Sequence, residues 1–355
     1  MDIRIERTSQ PKAKPDWNNL FFGRYYTDHM FVADYTEGSG WRDLRVIPYA
    51  PLLLDPAAMV FHYAMEVFEG MKAYAAKDGR ILLFRPRENA RRLNSSAARI
   101  CMPAFPEDDF FNAINALVRT DHDWVPRLPD TSLYLRPFMI GTEPHLGVRV
   151  SRQFQMLIIA SPVGAYYPEG LNPVKIYLED EYVRAVRGGT GFTKCGGNYA
   201  ASLAAQEKAQ KLGLTQVLWL DGVERKYIEE VGTMNVMFHI GDEVVTPELN
   251  NTILPGVTRS SAIALMRSWD FKVSERRISI DELHSAARSG YLRESFGTGT
   301  AAVISPIGAF SINGELIQVG DGGIGPLSRK LYDTLTGIQW GNLPDPFGWT
   351  CEVVI

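Results

Sequence analysis

Cysteine is scarce. Only Cys101, Cys195 and Cys351 occur in 355 residues. They are far apart and odd in number, which argues against a disulfide framework and for a reducing compartment. No CxxC or HExxH pair occurs, and the six histidines are dispersed, so no compact signature calls for a metal. Long apolar runs are missing too. Stretches such as Met156–Ala160 are strand-sized, far short of the roughly 18 residues a transmembrane helix requires. There is no basic excess: 37 Lys and Arg against 41 Asp and Glu leave a net charge of −4, a poor footing for nucleic acid. The first residues lack an apolar segment and carry acids early, so neither signal nor transit peptide is expected. These absences predict a cytoplasmic protein with no metal, membrane or nucleic-acid partner.

What is present fits a soluble globular chain. Hydrophobic residues are 45% and charged residues 22%, which excludes wholesale disorder. The length suggests about two domains. A chain of this size buries on the order of 75% of its unfolded surface and needs no staples.

Residues up to about Asn19 are polar and carry Pro11 and Pro15, which predicts an extended arm. Met71–Ala75 and Arg80–Phe84 flank Asp78-Gly79, a hairpin signal. Arg87 to Arg99 reads as a helix after Pro86. Phe110, Phe111, Ile114, Leu117 and Val118 fall at helical spacing. Ser132–Ile140, Gln153–Ala160, Val174–Leu178 and Gln216–Leu220 read as strands. Thr233–Ile240 and Glu243–Thr246 form a hairpin across Gly241-Asp242. Asn198–Leu212, Val257–Trp269 and Ile280–Ala287 read as helices. Residues 161–173 hold three prolines and two glycines, the best linker candidate. The expected organisation is a smaller domain over 1–160, an interdomain loop over 161–173 and a larger domain over 174–355. Strands and helices do not alternate strictly, so the fold class is α+β, with two mixed domains rather than a doubly wound sheet.

Two glycine-rich stretches fail as nucleotide motifs. Gly188 to Gly197 contains Lys194, but Thr193 precedes it and Cys195 follows, where a phosphate loop needs Gly and Ser/Thr. Gly320-Asp-Gly-Gly-Ile-Gly325 leaves only 30 residues, too few for a dinucleotide-binding half. Lys194 is more suggestive. By its own stretch it reads as a lysine in a flexible loop; the sharper reading is a Schiff-base lysine, whose amine must be made neutral by burial or a cationic neighbour. Pyridoxal phosphate would further need a carboxylate for its ring nitrogen, donors for its phosphate and a group near O3′. The chain can supply these. Tyr199 lies five residues on, Glu230 stands just before a predicted strand, and Leu254-Pro-Gly-Val-Thr opens a helix whose N-terminus could take phosphate. Phe296-Gly-Thr-Gly-Thr-Ala301 is a turn whose backbone could reach an anion. Each also has a structural reading: a solvated acid, punctuation before a helix, a tight turn.

Taken together the segments resemble the branched-chain amino-acid aminotransferases of the class IV (fold type IV) pyridoxal-phosphate enzymes. The matching stretches include Tyr26-Thr-Asp-His-Met30, Glu66-Val-Phe-Glu-Gly-Met-Lys72, Ser132-Leu-Tyr-Leu-Arg-Pro137, Gly196-Gly-Asn-Tyr199, Glu229-Glu-Val-Gly-Thr-Met-Asn235, Ile253-Leu-Pro-Gly-Val257 and Phe296-Gly-Thr-Gly-Thr-Ala301. They run in order through nearly the whole chain. The resemblance implies the two-domain fold type IV architecture and pyridoxal 5′-phosphate as cofactor. Lys194 would carry the cofactor and shuttle the proton. Glu230 would pair with the ring nitrogen and Tyr199 with O3′. Arg99, Val257, Thr258 and Thr298 would hold the phosphate, Arg184 would lie near phosphate and ring, and Thr233 and Leu254 would also touch the cofactor.

For the substrate, the resemblance implies Tyr63, Thr300 and Ala301 at the α-carboxylate, with Arg136 in support. Tyr26, Phe68, Tyr134 and Tyr166 would wall an apolar pocket. Leu146 and Val148 would enter it from the partner subunit of a homodimer. The implied reaction is reversible, ping-pong transfer between L-leucine, L-isoleucine or L-valine and 2-oxoglutarate, giving branched 2-oxo acids and L-glutamate. A D-amino acid aminotransferase or an aminodeoxychorismate lyase would share fold and cofactor; the Phe/Tyr pocket set and the length argue against them. The redox CxxC that mammalian members carry after the Gly-Thr-Gly-Thr turn is here Ala302-Val-Ile-Ser305, so that thiol switch is absent.

Overall fold

The computed structural model describes residues 2–164 and 171–354. They gather into two compact units. The first holds the residues before 165, the segment 193–196 and everything from 337 on; the second holds 171–192 and 197–336. Two stretches therefore leave the expected second domain for the first, and the first, expected to be the smaller, is the larger of the two units. The chain end does so because Thr350–Val353 pairs antiparallel with Ile81–Phe84, which buries Val353 to 1% exposure in the first core. Residues 193–196 do so because Cys195 bridges Val67 and is buried in that core as well. Both pairings join distant segments, and local patterning carries no trace of them.

The first unit is built on a nine-stranded sheet. Met71–Ala75 and Ile81–Phe84 form the expected hairpin beside Ser132–Gly141, which pairs along its length with Gln153–Val163. Side chains alternate across a strand. Leu133, Leu135 and Met139 enter the core, where Ala90, Leu93 and Ala97 of helix Pro86–Arg99 meet Phe110, Ala113, Ile114 and Leu117 of helix Glu107–Thr120. Each such Leu, Ile or Phe contributes roughly 1.5–3 kcal/mol on burial. The helices cover this one face; Tyr134, Arg136 and Phe138 stand on the other. Pro86 opens its helix at a position where a missing N–H costs nothing. The polar arm is tied down: Arg4–Ile5 pairs with Gly40–Pro48, and the Thr8 N–H donates to His29 Nε2 at 2.8 Å.

The second unit contains a closed circuit of six strands. Val174–Leu178, Gln216–Leu220, Ile228–Val231, Met234–Ile240, Leu292–Gly299 and Val303–Ile312 complete it, because Ile228–Val231 pairs with both Gln216–Leu220 and Met234–Ile240. The apolar side chains of Ile176, Leu218, Ile228, Val236, Phe238 and Phe310 share its core. Helix Ile280–Arg288 is capped by Ser279, whose side chain accepts from the Glu282 N–H at 3.0 Å.

Two local expectations change. The helix expected over Asn198–Leu212 is broken into Gly196–Ala200 and Leu203–Lys211. The Ser202 hydroxyl donates to the Tyr199 carbonyl at 2.7 Å, a local bond that competes with the helical ladder. Glu230 precedes the expected strand, here Met234–Ile240, but also lies inside another, Ile228–Val231, at a bulge where Glu229 and Glu230 together face Trp219. Among the described residues no helix is long and apolar enough to cross a membrane, and no cluster of His, Cys, Asp and Glu could hold a metal ion.

Candidate active site

Lys194 is fixed from both sides by the first unit. Its carbonyl accepts from the Phe68 N–H at 2.9 Å, and its own N–H donates to Ser96 Oγ at 3.0 Å. The amine then lies over the Phe68 ring, 4.5 Å from the centroid. Burial lowers the Lys194 pKa to about 8, helped by the cations Arg92 and Arg136 and opposed by Glu69. Glu69 is fully buried and takes a two-pronged bond from Arg92, at 2.7 and 2.8 Å, plus one from Asn89 at 2.8 Å. The pairing with Arg92 holds its carboxyl below the ordinary range against the cost of burial.

Arg136 lies over the same Phe68 ring at 4.7 Å and donates to the Tyr134 hydroxyl at 3.1 Å. That hydroxyl rests against Gly70, where a Cβ would collide with it. Tyr26 stacks on Tyr49 with centroids 5.2 Å apart. The Tyr63 hydroxyl donates to the Leu146 carbonyl of the same chain. Leu146 is 65% exposed and Val148 84%. Arg99 is exposed in the last turn of its helix.

The second unit holds the acid. Glu230 is buried; its Oε1 accepts from Asn235 Nδ2 and from the Leu254 N–H, each at 3.1 Å. Its Oε2 lies 2.9 Å from Arg184 Nε. Arg184 also donates to the carbonyls of Gly191, at 3.0 Å, and Thr252. Leu254 thus serves Glu230 through its N–H and Asn235 through its carbonyl. Asn235 is the hub. It is register partner to both Glu230 and Thr298, and its side-chain amide oxygen sits against Gly256, where no Cβ would fit. Gly256 opens helix Val257–Ser268 without a side-chain cap, so the first-turn N–H groups of buried Val257 and Thr258 have no intrahelical acceptor. Beside them on the sheet the Thr298 hydroxyl is buried and has no partner. A helix N-terminus near an unsatisfied hydroxyl suits an anion. Tyr199 is half-buried in the short helix Gly196–Ala200, Thr233 is exposed in the turn before Met234, and Thr300 and Ala301 form the turn after Leu292–Gly299. Tyr166 lies outside the described residues. A separate cavity of about 120 Å³, lined in part by Asp221, Glu229 and Arg277, includes none of the expected cofactor residues.

Four supporting residues, Glu69, Arg92, Ser96 and Thr252, escaped the sequence reading. Glu69 and Arg92 are 23 residues apart, and Thr252 meets Arg184 over 68. A helical signal did exist for two of them: Arg92, Ser96 and Arg99 recur at i, i+4 and i+7, one face of a helix.

The chemistry on offer is an amine of lowered basicity in the first unit and, in the second, a buried ion-paired carboxylate and an uncapped helix start suited to an anion. Sequence relationships agree with it. Residues 66–310 match the family described as amino-transferase class IV. Branched-chain-amino-acid aminotransferase 2 of Bacillus subtilis (strain 168) is 56% identical over 351 residues, 99% of this chain and 97% of its own. Branched-chain-amino-acid transaminase 1 of the same strain is 57% identical over 352 residues, 99% of each. The crystal structure of the Escherichia coli branched-chain amino acid aminotransferase superposes with a TM-score of 0.77 at 26% identity, covering 92% of this chain and 99% of that one. The branched-chain amino acid aminotransferase from Thermobaculum terrenum, solved in its PLP-form, shares the fold with a TM-score of 0.76 at 23% identity, covering 92% and 99%.

The chain belongs to the class IV aminotransferases, and the expected α+β fold is theirs. Within that family it stands with the branched-chain-amino-acid aminotransferases, and it is an aminotransferase.

Proposed function

We propose that the protein uses pyridoxal 5′-phosphate to exchange the amino group of L-leucine, L-isoleucine or L-valine reversibly with 2-oxoglutarate, as a cytoplasmic homodimer. The observation that carries this reading is Lys194: an amine made half neutral near pH 8, held over an aromatic ring by two backbone hydrogen bonds. The residues present fit the cofactor, since the orphaned Thr298 hydroxyl and the uncapped helix at Val257 suit its phosphate. When bound, the cofactor supplies an aldehyde that joins amines and a ring that draws electrons from the adjacent C–H bond.

The chain does the rest. Lys194 Nζ holds the cofactor between turnovers, then moves the proton between the substrate α-carbon and C4′. Glu230, kept in place by Arg184, Asn235 and the Leu254 N–H, would accept a hydrogen bond from the protonated ring nitrogen and keep that proton on the ring. Arg99, Val257, Thr258 and Thr298 would hold the phosphate, Thr233 would also touch the cofactor, and Tyr199 would donate to O3′. Tyr63, Thr300 and Ala301 receive the α-carboxylate, with Arg136 in support. Tyr26, Phe68, Tyr134 and Tyr166 exclude water around a branched side chain. The exposure of Leu146 and Val148 supports their covering the partner's pocket in a dimer. On this reading the first unit supplies most of the substrate pocket and the second most of the cofactor site.

The test is the visible absorption spectrum of the purified protein. L-Leucine alone should bleach the yellow form, and 2-oxoglutarate should restore it. A yellow protein that ignores L-leucine but turns over D-alanine would move the reading to another class IV reaction.

A further inference from the structure

Behind Glu230 lies a second buried acid that the proposed reaction does not use. Glu229 shares the bulge with Glu230 and is 3% exposed. Its Oε1 contacts the Thr252 hydroxyl. That hydroxyl is also 2.5 Å from Asn250 Oδ1. Oδ1 is the amide oxygen, because the Thr252 N–H donates to it at 3.2 Å.

A hydroxyl has one proton to give. Asn250 Oδ1 has none, and an ionised Glu229 would have none. Two acceptors would then compete for one donor. A protonated Glu229 removes the conflict: its O–H donates to Thr252, and Thr252 donates to Asn250. The other oxygen, Oε2, is buried without a hydrogen bond. That is tolerable for the carbonyl of a neutral acid and costly for half of a carboxylate. The surroundings point the same way: burial foremost, with Asp221, raises the Glu229 pKa against the pull of Thr252, Asn250 and Arg184.

The consequence reaches Glu230. The same Thr252 whose hydroxyl is held by Glu229 offers its carbonyl to Arg184 Nη2, and Arg184 Nε faces Glu230 Oε2. We propose that Glu229, as a neutral carboxylic acid, is a positioning residue: through Thr252 it fixes Arg184 on Glu230 and leaves that single positive charge to Glu230 alone. The inference rests on the reading that Glu230 meets the cofactor ring.

Three variants and one spectrum test it. Glu229→Leu and Thr252→Val remove the link while keeping shape. Each should lower kcat with L-leucine and 2-oxoglutarate about tenfold at little change in KM, and shift the pH at which the bound cofactor's absorbance titrates. Glu229→Gln, whose amide can still donate and accept, should restore both. In the cofactor-free protein at pH 7, the infrared difference between wild type and Glu229→Gln should contain the carbonyl stretch of a protonated acid. Absence of that band, a Gln variant as impaired as Leu, or a Thr252→Val enzyme with unchanged kcat and titration would overturn the inference. Should Glu229→Leu fail to fold, Thr252→Val and the infrared band still decide it. Glu230→Gln is the control. If it is impaired and the others are not, the inference alone falls; if it too is unchanged, the reading of Glu230 falls and takes the inference with it.

Discussion

Arg184 Nε stands 2.9 Å from Glu230 Oε2, an ion pair in which both side chains are almost fully buried. Two neutral donors, Asn235 and the Leu254 N–H, also serve the carboxylate. Breaking one partner of such a pair leaves the other charge buried without compensation, which costs about 3–5 kcal/mol. Arg184→Met should therefore weaken pyridoxal phosphate binding and lower kcat roughly a hundredfold, as the acid proposed to steady the ring nitrogen is no longer held. Titration of the cofactor-free variant with pyridoxal phosphate, followed by steady-state assay, measures both. Wild-type values would detach Arg184 from the chemistry.

The Thr298 hydroxyl gives a contrast between empty and loaded protein. It is buried and unsatisfied. Thr298→Val removes that desolvated group, so the cofactor-free protein should gain up to about 1 kcal/mol, read by urea denaturation. The same variant should bind pyridoxal phosphate several-fold more weakly, because a donor to its phosphate is gone. Loss of stability together with unchanged cofactor affinity would contradict the anion site.

Glu69 and Arg92 should behave as a buried pair. Arg92→Leu would strand a fully buried carboxylate and destabilise the fold by about 3–5 kcal/mol. It would also remove the largest cationic influence on Lys194, whose pKa should then rise. Chemical denaturation and the pH dependence of cofactor uptake separate the two effects.

Lys194 sets a pH profile of its own. Only the neutral amine reacts, so uptake of pyridoxal phosphate by the cofactor-free protein should rise with pH and level off above about 8. An ordinary lysine would keep rising to about 10.4. The linked effect on stability has a definite sign. Between those values the unfolded chain holds a proton that the folded chain has released, so stability climbs with pH across that window. Lys72, also lowered to about 8 by burial, adds to the same slope. The difference between wild type and Lys194→Met isolates the contribution of Lys194.

Gly70→Ala tests the placing of Tyr134. The added methyl would meet the Tyr134 hydroxyl and force that ring aside, taking from Arg136 its 3.1 Å acceptor. The cost should be about 1–3 kcal/mol of stability. KM for L-leucine and L-glutamate should rise while the cofactor spectrum stays as in wild type.

Much of the architecture was readable locally. The Asp78-Gly79 hairpin, the helix after Pro86 and the periodic apolar face from Phe110 to Leu117 all appear where patterning puts them. Each depends on neighbours a few residues apart, within the reach of a single turn, helix face or strand. Ser202 marks the limit of that reach: one side chain to backbone bond splits a helix that composition alone would continue. The segments that resemble the class IV aminotransferases also lie in short blocks, so Lys194, Tyr199 and Glu230 stood out before any fold was known.

The amino-acid sequence by itself determined the family, and it singled out the lysine expected to react and the acid expected to serve the ring. Only the tertiary structure decided their state. It returned the chain end to the first sheet, placed Glu230 at a bulge within a buried strand, and surrounded Lys194 with Arg92, Arg136 and Glu69. Basicity and ion pairing depend on burial and on charges brought close by strand pairing across tens of residues. Those are properties of the folded chain, and no window along the sequence contains them.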